Sequence, residues 1–176
     1  MKREKIEILI KKEEIKKRVK AIALQIAEDY KGKKPVLVSI LKGGGFFIAD
    51  LAREVKLDVS IDYIETSSYG KETESTGNVK IIKDLSQPVA GKDVIIVEDI
   101  IDTGYTLEAV RKLMKVRRAK SVKICVLLDK PSRRKVPIKV DYLGFEIPDL
   151  FVVGYGIDYA EKFRNLPYIA VVKNLN

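Results

Sequence analysis

The sequence predicts an α/β fold in which a mostly parallel central sheet is flanked by helices. Two observations carry this. Three short runs, PVLVSIL at 35–41, VIIV at 94–97 and VKICVLL at 122–128, are almost continuously apolar, as strands covered on both faces are. The segments between them hold apolar residues three and four apart, and strands alternating with helices imply parallel pairing with helices on the sheet faces. At 176 residues the chain can bury one substantial core, which predicts a single domain.

The elements follow in order. Residues 11–30 place Ile15, Val19, Ile22, Ile26 and Tyr30 on one helical face, and Lys31-Gly32-Lys33-Lys34-Pro35 ends that helix with a glycine and then a proline. The first buried strand, 35–41, leads into Lys42-Gly43-Gly44-Gly45, a flexible turn, before helical spacing resumes through Phe47, Leu51 and Val55. Leu57–Ile64 alternates as a strand does, and Val79–Ile82 reads as the strand that returns to it. Between them Thr66–Asn78 is polar and lacks large aliphatics, so it is expected to be a mobile loop or a long hairpin. A turn at Gln87–Asp93 precedes the strand Val94–Val97; a helix over Thr106–Val116 and a strand over Val122–Leu128 come next. After Asp129 the texture changes to prolines, glycines and aromatics, which predicts a smaller lobe beside the sheet.

Composition removes several classes of function. With no histidine, Ser-His and Cys-His machinery, imidazole bases and histidine-bearing zinc sites are out, and proton transfer falls to Asp, Glu, Lys or Tyr. The one cysteine, Cys125, lies in an apolar run and reads as a core thiol. No apolar run is long enough to span a bilayer, and the charged Met1–Lys5 does not resemble a signal peptide, so a soluble, intracellular protein with no membrane partner is expected. The formal charge of +9 favours polyanions, either nucleic acid or a phosphate-rich small molecule; with 34 basic and 25 acidic residues interleaved, a solvated surface accounts for it equally.

The most specific signal is Val94–Leu107, VIIVEDIIDTGYTL. An apolar strand ends at Glu98-Asp99, placing two carboxylates at the carboxyl edge of the sheet, where open α/β sheets bind ligands. Asp102-Thr103-Gly104-Tyr105-Thr106 then feeds a helix, and a glycine-containing turn at a helix N-terminus offers amide donors and a favourable dipole to a phosphate, with Thr103 and Thr106 adding hydroxyls. Neither G-x-x-x-x-G-K-[ST] nor G-x-G-x-x-G occurs, so the Walker and dinucleotide loops are absent. Taken singly, the three acids could be caps and solvated strand-end charges, and Gly43–Gly45 an ordinary turn. The register of strand, turn and helix favours a phosphate site.

That segment resembles the phosphoribosyl pyrophosphate signature of the phosphoribosyltransferases. LKGGGFF at 41–47, SSYG at 67–70, LLDKPSRR at 127–134 and GFEIPDLFVVGYGIDYAEKFRNLPYI at 144–169 resemble, in the same order, the hypoxanthine-guanine branch of that family. The resemblance implies a phosphoribosyltransferase-like fold with its core over roughly 35–130 and a hood from 131–176 plus part of the N-terminus. It implies a purine-salvage enzyme of the cytoplasm that joins hypoxanthine or guanine to phosphoribosyl pyrophosphate, giving IMP or GMP. By the same resemblance Asp102 acts near purine N7 as general base or proton stabiliser, and Thr103, Gly104, Tyr105 and Thr106 hold the 5′-phosphate. Glu98 and Asp99 face the ribose hydroxyls, directly or through Mg2+, and Asp158 is a second metal ligand.

The resemblance further implies that Leu41, Lys42, Gly43 and Gly44 form a pyrophosphate loop, often with a cis peptide at Leu41-Lys42, joined by Ser68, Tyr69 and Arg164. The loop that includes Ser68 and Tyr69 becomes a lid. Lys130 donates to the purine 6-oxo group, Phe151 stacks on the ring, and the Val152 backbone reads its edge; without the family, a plain core role for Phe151 serves as well. A homodimer or homotetramer is implied, with no nucleic-acid partner. Two rivals remain open: a nucleic-acid-binding regulator built on the same fold, for which +9 is suitable, and a transferase for another base. Lys130 disfavours adenine, whose 6-amino group would leave the ammonium unpaired, but xanthine stays possible.

Overall fold

The computed structural model describes residues 5–68 and 79–173. Its elements in chain order are β1 (Lys5–Ile10), α1 (Lys12–Asp29), β2 (Val36–Leu41), α2 (Gly44–Glu54), β3 (Ser60–Ser68), β4 (Val79–Lys83), β5 (Asp93–Ile101), α3 (Tyr105–Val116), β6 (Ser121–Asp129), a 3-10 turn at Pro131–Arg133, β7 (Tyr142–Glu146), β8 (Val152–Val153) and β9 (Ile169–Lys173). The larger sheet has the order β4-β3-β2-β5-β6-β7. Its pairs are parallel except β3 with β4, which is antiparallel.

The continuous apolar runs are explained by the two faces of this sheet. Alternate side chains of a strand point to opposite sides. Leu37, Ile95, Val97, Cys125 and Leu127 pack with Ile15, Val19, Ile22 and Ile26 of α1 and Phe47, Ile48 and Leu51 of α2. Their neighbours Val36, Val38, Ile40, Val94, Ile96, Ile124 and Val126 pack on the other side with Leu107, Val110 and Met114 of α3. Each strand therefore feeds two cores, and every one of these side chains is buried.

The helix ends follow local chemistry. Glu14 accepts from the Lys11 backbone N–H at 2.9 Å, satisfying a donor at the start of α1. Gly32, at φ 72°, lets the chain turn out of α1 toward β2.

Several boundaries differ from the sequence expectation. The helix expected from Phe46 begins at Gly44, because the glycines that look like turn residues form its first turn. The strand expected to end at Glu98-Asp99 runs on to Ile101, so the two acids lie within β5. β3 extends to Ser68, into the stretch expected to be loop; Tyr69 and the rest of that stretch up to residue 78 lie outside the described residues.

In the C-terminal third, β7 adds a parallel strand to the edge of the larger sheet, although its segment was expected in the hood. The second sheet, β1-β9-β8, is antiparallel and brings the N-terminal strand against the C-terminal one. β1 has no sequence signature, since only Ile10 of its six residues is buried. No helix among the described residues is long and apolar enough to cross a membrane.

Candidate active site

β2 and β5 are neighbours, yet the next strands lie on opposite sides of them: β3 beside β2 and β6 beside β5. The carboxyl ends of such a pair splay apart around a crevice, the usual ligand position in open parallel sheets. Here the crevice is a cavity of about 250 Å3 lined by the end of β2, Gly43, the Glu98–Asp102 stretch and the turn into α3. Leu41, Gly43, Glu98, Asp99, Asp102, Thr103, Gly104 and Thr106 thus share one small volume.

Glu98 and Asp99 are each only 8% exposed. The Asp99 N–H donates to Glu98 Oε1 at 3.1 Å, and the Ile100 N–H donates to Asp99 Oδ1 at 2.8 Å. Burial pushes the Glu98 carboxyl well above the ordinary carboxylate range, and the adjacent Asp99 charge pushes it further. Burial also raises Asp99, opposed by the hydrogen bond from Glu98 and by backbone donors. Two buried acids that resist carrying two charges are poised to accept a cation, and their hard oxygens suit magnesium. Among the described residues no three of His, Cys, Asp and Glu converge as a metal-binding group. Magnesium completes its shell from substrate phosphates and water where protein ligands are few, so the donor set fits that ion.

The turn that follows is held from outside. The N–H groups of Lys135 and Val136 both donate to the Thr103 carbonyl, at 2.9 and 3.1 Å. Gly104 caps α3 at φ 91°, a conformation that residues with a Cβ rarely adopt. The first-turn amides of α3 have no acceptor within their own helix, which leaves them for an anion in the cavity. Asp102 is half-exposed, and Arg133 Nε donates to its Oδ1 at 3.1 Å.

The Leu41-Lys42 peptide is cis. The next two residues tolerate no side chain: a Cβ on Gly43 would lie 1.7 Å from Asp99 Oδ2, and one on Gly44 would lie 2.4 Å from the Ser39 hydroxyl. That hydroxyl is buried without a hydrogen-bond partner. From the C-terminal side Gly156 packs on the same loop, where a Cβ would meet the Gly43 carbonyl oxygen at 2.2 Å.

Lys130 follows β6, its N–H donating to the Ile101 carbonyl at 3.1 Å. Its side chain is 10% exposed, with Nζ 3.7 Å from Asp149. Phe151, expected to be either core or a stacking ring, is exposed and meets Tyr159 edge-on at 5.5 Å, which leaves a ring face available. Val152 is buried in β8. Asp158 pairs with Arg164 at 2.8 Å, and Arg164 also donates to the Gly156 carbonyl at 2.6 Å. Ser68 ends β3, and Tyr69 lies outside the described residues.

Two chains of ion pairs join the cavity to the C-terminal segment, and their middle members carry no motif. Arg133 bridges Asp102 and Asp149, the latter at 3.9 Å, and Asp149 faces Lys130. Glu161 bridges Lys42 and Arg164. Arg133, Asp149 and Glu161 were not singled out by sequence, although all three lie in the segments that carry the resemblance. A larger cavity, about 400 Å3, lies between α1, α2 and the Tyr155–Pro167 region, but it contains none of the expected site residues. The smaller cavity has the charge and the donors; chemistry, not size, marks the site.

Residues 6–160 match the phosphoribosyl transferase domain family. The chain is 50% identical to the hypoxanthine-guanine phosphoribosyltransferase of Bacillus subtilis strain 168 over 173 residues, covering 98% of this chain and 96% of that one. It is 52% identical to the hypoxanthine phosphoribosyltransferase of Escherichia coli K12 over 169 residues, covering 95% of each. A crystal structure of a hypoxanthine-guanine phosphoribosyltransferase from Bacillus anthracis superposes with a TM-score of 0.93 at 51% identity, covering 97% of this chain and all of that one.

Proposed function

We propose that this chain, which belongs to the phosphoribosyl transferase family, joins hypoxanthine or guanine to phosphoribosyl pyrophosphate, releasing IMP or GMP and pyrophosphate in purine salvage. The observation that carries the reading is the shared cavity at the β2/β5 switch point, with two buried carboxylates on one wall and an anion-binding turn on the other. A phosphorylated sugar needs both: acidic groups for its hydroxyls and amides for its phosphate.

In this reading, Thr103–Thr106 bind the 5′-phosphate, and Glu98 and Asp99 hold the ribose hydroxyls. Lys42, the amides at Gly43 and Gly44, Ser68, Tyr69 and Arg164 receive the pyrophosphate. Glu98, Asp99 and Asp158 are the protein groups that would hold magnesium, which when bound neutralises charge on the departing pyrophosphate. As the bond from ribose C1 to pyrophosphate lengthens, N9 of the base approaches C1, and Asp102 manages the proton at N7. Alignment and charge compensation supply most of the acceleration, because the ribosyl centre needs no covalent partner from the protein.

Lys130 gives the selectivity. A nearly buried ammonium that donates to a 6-oxo group would find no acceptor in the 6-amino group of adenine. Phe151 covers the purine face and Val152 reads its edge. We further propose a cytoplasmic homodimer or homotetramer; the exposed Phe46 beside the larger cavity is apolar surface that a second copy would cover.

The test is nucleotide formation from phosphoribosyl pyrophosphate and magnesium with hypoxanthine, guanine, xanthine, adenine and uracil, in the unmodified chain and in Asp102→Ala. Turnover of the first two bases is expected, reduced about 10²- to 10⁴-fold in the variant, the range of a lost general base. Binding of phosphoribosyl pyrophosphate without turnover of any base would overturn the enzyme reading and favour a regulator.

A further inference from the structure

We propose that Glu161 is an internal competitor for the pyrophosphate subsite, a carboxylate that occupies the two cations a diphosphate needs and must be displaced when one binds. This rests on the functional reading above and adds a role for a residue to which that reading gives none.

Three observations place Glu161 in this role. Both of its carboxylate oxygens lie 3.3 Å from Lys42 Nζ, on the loop between β2 and α2. Its Oε1 lies 3.5 Å from the Arg164 guanidinium. One carboxylate therefore joins two cations from distant parts of the chain, while Asp158 also pairs with Arg164. The turn that carries it is also fixed. Tyr159 and Lys162 exchange backbone hydrogen bonds at 3.1 and 3.0 Å, and the Glu161 N–H donates to Asp158 Oδ2 at 2.8 Å. Within that turn Glu161 sits at φ 61°, a left-handed conformation unusual for a residue with a Cβ.

The partners differ in freedom. Arg164 is anchored by the Gly156 carbonyl at 2.6 Å and by Asp158 at 2.8 Å, and Gly156 is packed against the Gly43 carbonyl. Among the described residues the Glu161 side chain has only its ion pairs, and it is 67% exposed. When an anion arrives, the guanidinium stays and the carboxylate swings away. A diphosphate carries more charge and more acceptor oxygens than a carboxylate, so it wins the exchange but binds more weakly than it would to free cations. Glu161 thus keeps the two cations aligned and eases release of pyrophosphate after reaction.

Calorimetric titration with inorganic pyrophosphate and magnesium tests this on the full chain, comparing it with Glu161→Gln and Glu161→Asp. Gln removes the charge; Asp keeps the charge but shortens the reach to Lys42. Competition predicts that both variants bind pyrophosphate about three- to fivefold more tightly, the scale of one or two exposed ion pairs, with a matching fall in KM for phosphoribosyl pyrophosphate. Tighter binding in Gln alone, with Asp like the unmodified chain, means that the charge acts through its field, and the proposal fails. Unchanged affinity in both variants overturns it as well. If the unmodified chain forms no nucleotide and binds no pyrophosphate, the functional reading fails and this inference falls with it; turnover with unaltered variant affinities sinks the inference alone.

Discussion

At Gly43 a single methyl group decides whether the site can exist. The added Cβ would overlap Asp99 Oδ2 at 1.7 Å, and Asp99 is itself buried with Oδ1 tied to the Ile100 N–H. The carboxylate cannot turn away without leaving its place beside Glu98. We expect Gly43→Ala to fold, with circular dichroism unchanged, and to lose about 10²-fold in kcat/KM, the cost of misplacing a reacting group by an ångström. A kcat/KM within threefold of the unmodified chain would show that Asp99 has slack that its packing does not suggest. At this scale the sequence was partly legible. A glycine after an apolar strand is ambiguous between an ordinary turn and a close approach, and the atom it approaches comes from another strand. The acidic pair was legible as a pair because the two residues are adjacent, whereas Ser39, buried beneath Gly44, had nothing to mark it.

Among elements, α1 is fastened to the far edge of the sheet by a polar cluster at its C-terminal end. Asp29 accepts from Lys123 Nζ of β6 at 2.8 Å and from the Tyr142 hydroxyl of β7 at 2.5 Å, while Lys123 lies over the Tyr30 and Tyr142 rings. The hydrogen bond from Lys123, then that from Tyr142, holds the Asp29 carboxyl below the usual carboxylate range. A folded-state pKa below the unfolded one means that the stabilisation is present above the unfolded value and disappears as the pH falls through the folded value. Asp29→Asn should therefore cost about 0.5–1 kcal/mol at neutral pH, discounted for exposure. That corresponds to a drop in Tm of about 1–4 °C. Thermal unfolding in acid should show the two proteins converging below about pH 4, the ordinary carboxylate value; a gap that persists there would assign the effect to packing. α1 itself was legible from its spacing. This fastening was not, since its three residues belong to three elements and none forms a motif.

In the whole molecule the proposed site draws on both ends of the switch point and on the C-terminal segment, so a ligand that fills it binds only the folded chain. Phosphoribosyl pyrophosphate with magnesium, at about 100 times its Kd, should add about 2.7 kcal/mol of stability. Thermal unfolding would read this as a Tm higher by about 5–10 °C, with a smaller rise from magnesium alone. No shift with the pair would argue that the crevice does not take the sugar phosphate. By itself the sequence determined the α/β class, the two-faced core and the Val94–Leu107 segment, because a period of two or of 3.6 and a strand–turn–helix run are written in consecutive residues. Tertiary structure alone decided that β5 carries its acids inside the strand, that β7 joins the larger sheet and that β1 pairs with β9. It alone set Arg133 on Asp102 and Glu161 between Lys42 and Arg164. Those outcomes depend on pairing between distant segments, where an exposed charge or a short strand gains its partner only after the chain has closed, and no local pattern encodes which partner that is.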